Sequence, residues 1–144
     1  MADFAEATVK FVDGMQFLGE SGTGHAFVMD AAPSVGGRNT GCRPMELLLI
    51  GLGGCTGMDV ISILRKKKQK VTGLRMNVKG RWKEGEELPR YFGTIEVEYV
   101  ISGRDISEDA VKRAVELSES KYCSVMANLR GSSKVTASYK IVSE

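Results

Sequence analysis

Three cysteines are the residues of this sequence best suited to redox or nucleophilic chemistry. Cys42, Cys55 and Cys123 lack the Cys-x-x-Cys spacing of a zinc or dithiol motif. In a reducing compartment, such thiols indicate redox or nucleophilic chemistry, or none, rather than a disulfide framework. The sequence has one histidine, His25, which is too few for a histidine-based metal site or a serine-histidine triad. We therefore expect neither a metal nor a cofactor.

Cys55 lies in the most apolar stretch of the chain, residues 43–68, which reads RPMELLLIGLGGCTGMDVISILRKKK. Pro44 and Glu46 are typical of the first turn of a helix, and the four closing cations are typical of its last turn. Between these ends, apolar or small residues fall on every face. The pattern predicts a long, buried central helix.

Three glycines, Gly51, Gly53 and Gly54, precede Cys55 within this predicted helix. Each interior glycine costs roughly 1 kcal/mol relative to alanine, so another effect must offset them. Two interpretations remain: they allow another backbone to approach closely, or they leave space for a substrate beside the cysteine. Considered without other information, a buried cysteine is more often a small hydrophobic residue than a nucleophile.

Composition and charge exclude several classes of protein. The 144 residues are 42% hydrophobic and 26% charged, which is typical of one globular domain, residues 1–144. The net charge of +2 comes from interspersed acids and bases, so nucleic-acid binding is not indicated. The apolar stretch contains Glu46, Asp59 and four glycines between Met45 and Leu64, so we expect no membrane span. The first residues show no signal-peptide pattern, and we expect a cytoplasmic protein.

Alternating and helical patterns predict an α+β fold with mostly antiparallel sheet around the central helix. A helix that is apolar on all sides needs cover on all sides, and one sheet covers only one side. We therefore expect an obligate homodimer in which a second copy supplies the remaining cover. The predicted elements are three short strands between Ala7 and Met29, a loop from Asp30 to Cys42, two long strands over 72–82 and 94–101, an amphipathic helix from Ser107 to about Lys121, a short helix near Cys123, and a last strand over 135–141. Asp13-Gly14 predicts the hairpin turn after the first strand. The apolar stripe of the amphipathic helix consists of Ala110, Val111, Ala114, Val115 and Leu117.

Three short motifs resemble the OsmC/Ohr family of thiol peroxidases. They are Pro-Met-Glu-Leu at 44–47, Gly-Gly-Cys-Thr at 53–56 and Tyr-Cys-Ser-Val at 122–125. Their wording is more similar to a less characterised OsmC-like branch than to either named enzyme. The resemblance covers nearly the whole chain and implies the OsmC-like fold, as an intertwined homodimer with two active sites at the subunit interface.

The resemblance also implies a function, the reduction of organic hydroperoxides or hydrogen peroxide. Cys55 would be the peroxidatic thiolate, which attacks the peroxide oxygen and becomes a sulfenic acid. Cys123 would be the resolving thiol, which condenses with that sulfenic acid to a disulfide. A dithiol reductant, lipoyl-type in the organic-hydroperoxide branch, would restore the thiols.

A thiolate of this kind needs a cation beside it, because an ordinary cysteine with a pKa of about 8.5 is mostly protonated at neutral pH. By position, Arg38 matches the family's arginine and Arg43 is a weaker match; a solvated loop arginine is the alternative. Glu46 resembles the glutamate that holds this arginine. In the organic-hydroperoxide branch, however, that glutamate stands one residue earlier, at the position of Met45, about 100° around the helix. Glu46 is otherwise a first-turn acid that favours the helix dipole.

Cys42 has no counterpart in the resemblance, and we interpret it as a loop thiol or as a third redox partner. The alternative to a peroxidase is a non-catalytic dimeric binding protein with an apolar cleft for a lipid-like ligand beside Cys55. A third hypothesis, a purely structural dimer, predicts no cleft. An arginine near a solvent-accessible Cys55 favours the peroxidase hypothesis.

Overall fold

A computed structural model of the chain describes residues 3–143. Its helices and strands follow the predicted order: β1 (Ala7–Asp13), β2 (Gln16–Ser21), β3 (Ala26–Met29), α1 (Pro44–Lys66), β4 (Lys70–Trp82), β5 (Phe92–Arg104), α2 (Glu108–Leu117), α3 (Ser124–Leu129) and β6 (Lys134–Ser143). The α+β class is therefore confirmed. The chain forms two compact units, Met1–Leu48 and Leu49–Glu144, and the division falls within α1. The expectation of a single domain over 1–144 stays a prediction.

The first unit contains an antiparallel sheet in the order β1-β2-β3. The predicted Asp13-Gly14 turn joins β1 to β2, and Gly14 has φ 58°, a left-handed conformation that glycine adopts without strain. The Asp13 carboxylate accepts a hydrogen bond from the Gly14 N–H at 2.8 Å. The hairpin thus follows from its local sequence.

Asp30 organises the loop that follows β3. This residue is 3% exposed, and its carboxylate accepts hydrogen bonds from the backbone N–H groups of Ala31 at 2.7 Å, Arg38 at 3.2 Å and Thr40 at 3.1 Å. The Thr40 hydroxyl adds a fourth bond, at 2.5 Å. These bonds, the one from the Thr40 hydroxyl above all, lower the pKa of Asp30 to about 2. The loop is folded around one ionised side chain.

The second unit contains a sheet in the order β4-β5-β6. The long β4–β5 pair is antiparallel, as predicted, whereas β6 lies parallel to β5. Alternate residues of β5 are buried, which is the period of a strand with one face against a core. Four of the five residues of the predicted apolar stripe of α2 are buried, and the fifth, Leu117, is half-buried; the buried four are Ala110, Val111, Ala114 and Val115.

Within one chain, α1 is covered on one face only, whereas the sequence predicted a helix buried all round. The residues of its buried stripe are Leu52, Gly53, Thr56, Gly57, Val60 and Leu64. Ile50 and Met58, on other faces, are 59% and 75% exposed. Apolar composition shows that a helix needs cover, but not which molecule supplies it. The homodimer stays a prediction.

Among residues 3–143, α1 is the one helix long and apolar enough to cross a membrane. The core helix of a globular protein has the same length and composition. The stripe of α1 faces β4 side chains and carries Thr56, which is fully buried and hydrogen-bonded to Tyr99 of β5. This packing is typical of a core helix.

The sequence-based boundary of α2 is wrong at its C-terminal end. The helix ends at Leu117, and Ser118–Tyr122 forms a π-helical turn, closed by a 2.8 Å bond from the Cys123 N–H to the Ser118 carbonyl. Apolar periodicity does not distinguish this i→i+5 geometry from an α-helix. Such turns often occur at functional sites, and here Ser118 and Cys123 lie at its two ends.

Candidate active site

Cys55 and Cys123 are brought together in the second unit. The Cys55 sulfur, the Cys123 sulfur and a carboxylate oxygen of Asp59 all lie within 4.8 Å of one another. Cys55 and Asp59 come from α1, four residues apart and so on one face of the helix. Cys123 lies between the π turn and α3. Two of the four predicted site residues therefore meet, together with an acid that the sequence analysis did not select.

One interpretation of the glycines, close approach to another element, holds at Gly53, whereas space for a substrate beside Cys55 stays a prediction. A Cβ on Gly53 would stand 3.2 Å from a methyl group of Val78 on β4, so the helix approaches the sheet closely there. A Cβ on Gly54 would meet no atom within 4 Å. Gly54 lines a mainly apolar groove of about 770 Å³ between α1 and β4. Cys55 itself is partly exposed.

Cys123 is a protonated thiol at neutral pH. It is 5% exposed, and burial is the largest cause that raises its pKa to about 11. Its hydrogen bond with Cys55 and the negative charge of Asp59 raise the pKa further, while the Met126 N–H, 3.4 Å from the sulfur, lowers it. A cysteine in this state is a poor first nucleophile, because the thiolate is the reactive form.

Four buried or half-buried side chains form a hydrogen-bonded chain that ends at Asp59. The Tyr99 hydroxyl and the Thr56 hydroxyl are 2.7 Å apart, and the Thr56 and Ser118 hydroxyls are 2.6 Å apart. The Ser118 hydroxyl donates to Oδ2 of Asp59 at 2.8 Å. Tyr99, Thr56 and Ser118 are each fully buried.

The direction of this chain follows from counting protons. Each hydroxyl has one hydrogen to donate, and an ionised carboxylate only accepts. Because Ser118 donates to Asp59, it must accept from Thr56, and Thr56 must accept from Tyr99. Burial is the main cause that raises the pKa of Tyr99 to about 12, so the phenol stays protonated and can donate. All three dipoles therefore point toward the Asp59 carboxylate.

Arg38 and Glu46 belong to the first unit, and their contacts there are structural. The Arg38 side chain is 53% exposed and pairs with Asp13 at 3.2 Å. The Glu46 carboxylate accepts a 2.8 Å bond from the Arg43 N–H, which is the reciprocal half of a capping box at the start of α1. This contact agrees with the interpretation of Glu46 as a first-turn acid. The roles of Arg38 and Glu46 toward Cys55 stay predictions.

Cys42, the third thiol, also lies in the first unit. It forms an isolated parallel bridge with Met29, and its carbonyl accepts a 3.1 Å bond from the Asp30 N–H. These contacts involve its backbone and fit a loop residue. Cys42 is not a member of the Cys55, Asp59 and Cys123 group.

The same group could also act as metal ligands. Two thiolates and a carboxylate are donors that zinc accepts, and a zinc site with three protein ligands has a fourth position for water or substrate. The absence of a metal therefore stays a prediction, and the metal content of the purified protein tests it.

The sequence analysis missed Asp59, Thr56, Tyr99 and Ser118 as parts of this site. The i to i+4 spacing from Cys55 was a usable signal for Asp59, since it places both side chains on one helix face. Thr56 is adjacent to Cys55. Ser118 and Tyr99 carry no local signal, because they come from the π turn and from β5.

The second unit combines a glycine-rich helix that carries one cysteine, a second cysteine and a three-stranded sheet. A family model described as "OsmC-like protein" matches residues 37–138. The chain therefore belongs to the OsmC-like family, and the resemblance stated from its motifs is confirmed.

Individual relatives agree with this assignment. Protein YhfA of Escherichia coli strain K12 is 41% identical over 140 residues, which cover 95% of this chain and 98% of YhfA. The crystal structure of a hypothetical protein from Aquifex aeolicus VF5 is 32% identical, with a TM-score of 0.85 and 99% of each chain covered.

A more distant solved structure is the organic hydroperoxide resistance protein OhrB of Bacillus subtilis. It is 18% identical, has a TM-score of 0.65, and the match covers 95% of this chain and 98% of OhrB. This likeness shows the shared fold. The names of YhfA and of the Aquifex protein state no activity. The reaction of this chain is therefore proposed below from its site.

Proposed function

We propose that the protein is a thiol-dependent peroxidase that reduces organic hydroperoxides or hydrogen peroxide. The observation that carries the proposal is the approach of the Cys55 and Cys123 sulfurs to within 4.8 Å, from positions far apart in the sequence. A disulfide requires the sulfurs to move to about 2.05 Å. Cys123 lies between the π turn and α3, at the end of one helix and the start of another, so a small backbone or side-chain adjustment would suffice.

The two cysteines differ in exposure and protonation, and these differences support the roles proposed for them. Cys55 is partly exposed, which supports access of a hydroperoxide to its sulfur. Cys123 is buried, and its raised pKa keeps it protonated. In the proposed cycle, the Cys55 thiolate attacks the peroxide oxygen and becomes a sulfenic acid, and an alcohol or water leaves. Cys123 then condenses with the sulfenic acid to form the Cys55–Cys123 disulfide.

The cation that favours the Cys55 thiolate is proposed from the family resemblance to be Arg38, with Arg43 as the weaker candidate. Arg43 already donates to Asn39 at 2.9 Å and to the Gly41 carbonyl at 3.2 Å, whereas Arg38 contacts only the exposed Asp13 with its guanidinium among residues 3–143. Glu46 would hold the chosen arginine. Comparing Arg38→Met with Arg43→Met in the peroxide assay decides between them. Only replacement of the arginine that stabilises the thiolate should slow the oxidation of Cys55.

A second copy of the chain completes the proposal. In the second unit, Ile50 and Met58 of α1 are largely exposed, and Met58 lines the apolar groove. In the first unit, every residue of β1 is exposed. Apolar surface of this extent is typical of protein–protein contacts. We propose an intertwined homodimer of a single domain over 1–144, located in the cytoplasm and reduced by a dithiol such as a lipoyl group. Light scattering would detect the dimer.

The test of the peroxidase proposal is the consumption of cumene hydroperoxide and of hydrogen peroxide by pre-reduced, metal-free protein. We expect rapid loss of peroxide, no turnover in Cys55→Ser, and a trapped sulfenic acid in Cys123→Ser detected by mass spectrometry. Cys42→Ser is the matched control and should behave as the wild type. Slow oxidation that is indifferent to Cys55→Ser would reject the proposal.

The second candidate function is a non-catalytic dimeric binding protein. The mainly apolar groove of about 770 Å³ beside α1 favours it, since apolar ligands need such a lining. Its chemistry would require no disulfide. Retention of a fatty-acid probe by a protein that consumes no peroxide would support this candidate, and Met58→Lys, at the groove, should then weaken retention.

A further inference from the structure

We propose that Asp59 is the proton acceptor for Cys123 when the Cys123 sulfur attacks the Cys55 sulfur. This inference deepens the proposed peroxidase function and rests on it for its biological setting. Cys123 has to lose a proton to become a nucleophile, and a base must therefore stand close to it. The Asp59 carboxylate lies within 4.8 Å of both sulfurs.

The position of Asp59 suits transfer to and from both reacting atoms. A separation of up to 4.8 Å allows an S–H···O contact after a small side-chain rotation, or transfer through one water. Cys55 and Asp59 share a face of α1, so the carboxylate faces the sulfur that is attacked. No other carboxylate belongs to this group among the residues that the structure describes.

The hydrogen-bonded chain explains how Asp59 would be held for this task. Ser118 donates to Oδ2, and Ser118 is in turn polarised by Thr56 and Tyr99. Chains of aligned hydrogen bonds strengthen one another. Through the Oδ2 atom they hold the Asp59 carboxylate beside the two sulfurs. Ser118, Thr56 and Tyr99 are therefore positioning residues, which act through Asp59.

The step balances without an added oxidant or reductant. A lone pair of the Cys123 sulfur forms the S–S bond, and the S–O bond of the Cys55 sulfenic acid breaks with its electron pair on oxygen. The Cys123 proton moves to Asp59. Asp59 then returns this proton to the departing hydroxide, which leaves as water. The peroxide has already supplied the oxidising equivalents, and Asp59 ends the step unchanged.

The experiment isolates the attack of Cys123 from the peroxide reaction. In a Cys42→Ser background, Cys55 is converted to its mixed disulfide with thionitrobenzoate, and release of the coloured thiolate reports the attack of Cys123. This readout requires no peroxidase activity. We expect Asp59→Asn to slow release about 100-fold, because general bases contribute about 10²- to 10⁴-fold. Asparagine keeps an oxygen that accepts from Ser118 but does not accept the proton.

Further variants separate proton transfer from folding. Ser118→Ala keeps the carboxylate and removes its support, so we expect a smaller slowing of about threefold to tenfold. Asp59→Glu restores a carboxylate and should recover part of the rate lost in Asp59→Asn. Thermal unfolding of each variant shows whether the fold is kept. Release at the wild-type rate from a folded Asp59→Asn protein would overturn the inference.

A peroxide arm distinguishes this inference from the proposed function. Mixing reduced protein with one equivalent of cumene hydroperoxide should give a Cys55 sulfenic acid that persists in Asp59→Asn and disappears in the wild type. If no variant forms a sulfenic acid but Asp59→Asn still slows thionitrobenzoate release, the peroxidase proposal fails and the role of Asp59 stands. If sulfenic acid forms and resolves equally fast in both proteins, the role of Asp59 fails and the peroxidase proposal stands.

Discussion

Two aspartates, one in each unit, are held by hydrogen bonds in contrasting ways. Asp30 accepts from three backbone N–H groups and one hydroxyl, all between residues 31 and 40 of the same loop. Asp59 is held by the Ser118 hydroxyl, at the end of a chain that starts at Tyr99. The partners of Asp30 are local in sequence. The hydroxyl groups of the chain that ends at Asp59 come from α1, β5 and the π turn.

The difference separates a structural acid from a functional one. The donors around Asp30 stabilise its charge so strongly that its pKa falls to about 2, and such a carboxylate is a poor proton acceptor near neutral pH. Asp59 instead lies beside two sulfurs, one of which has to lose a proton. The Asp30 carboxylate organises the backbone of its loop, whereas the Asp59 carboxylate accepts one side-chain hydrogen bond and lies beside the two sulfurs.

The largest expected effect is on the rate of Cys123 attack, when the carboxylate of Asp59 or of Asp30 is replaced by an amide. Asp59→Asn should slow the attack of Cys123 about 100-fold, and Asp30→Asn should change that rate less than twofold, because the donors of Asp30 belong to its own loop. Asp30→Asn should instead lower the unfolding temperature by about 3 °C or more. Thionitrobenzoate release and calorimetry measure the two effects. A loss of similar size in the rate of Cys123 attack in both variants would contradict the distinction between a functional Asp59 and a structural Asp30.

Thr56→Val tests the middle of the Asp59 chain. Valine has a similar shape but no hydroxyl, so the Tyr99 and Ser118 hydroxyls each lose a buried partner. We expect a loss of about 2–3 kcal/mol in the free energy of unfolding. Urea titration measures this loss, and Thr72→Val on β4 is the control, because the exposed Thr72 side chain makes no hydrogen bond within residues 3–143. A loss below about 0.5 kcal/mol would indicate that the chain contributes little to stability.

Tyr99→Phe tests the end of the chain farthest from Asp59. It removes the first donor and leaves the bond between Thr56 and Ser118 intact. We expect a loss of about 1 kcal/mol in the free energy of unfolding and a rate of Cys123 attack within about threefold of wild type. The same urea titration and release assay apply. A larger rate effect than that of Ser118→Ala would contradict a chain that acts through Ser118.

The smallest expected effect is the response of Asp30 to acid. Its folded pKa of about 2 lies below the usual 3.8, so its stabilising contribution is complete above about pH 4 and is lost as the pH falls through 2. The wild type should lose about 2 °C more than Asp30→Asn in unfolding temperature between pH 5 and pH 3. Parallel thermal scans of the two proteins measure the difference. Equal losses would show that other carboxylates account for the acid response.

Local sequence was sufficient for most of the fold. Pro44 and Glu46 marked the start of α1, Asp13-Gly14 marked the first hairpin, and the alternation along β5 marked a strand with one buried face. These signals are local because caps, turns and strand periodicity depend on neighbouring residues. The π turn after Leu117 was not predicted, because its i→i+5 bond leaves no distinct pattern in the sequence.

For the candidate site, the sequence by itself selected Cys55 and Cys123 through their motifs, and tertiary structure placed their sulfurs together. The sequence could not select Ser118 or Tyr99, because a hydroxyl gains its role only from the partner that folding brings within hydrogen-bond distance. Burial decided the protonation state of Cys123 for the same reason, since desolvation depends on the packed surroundings of the thiol rather than on its neighbours along the chain.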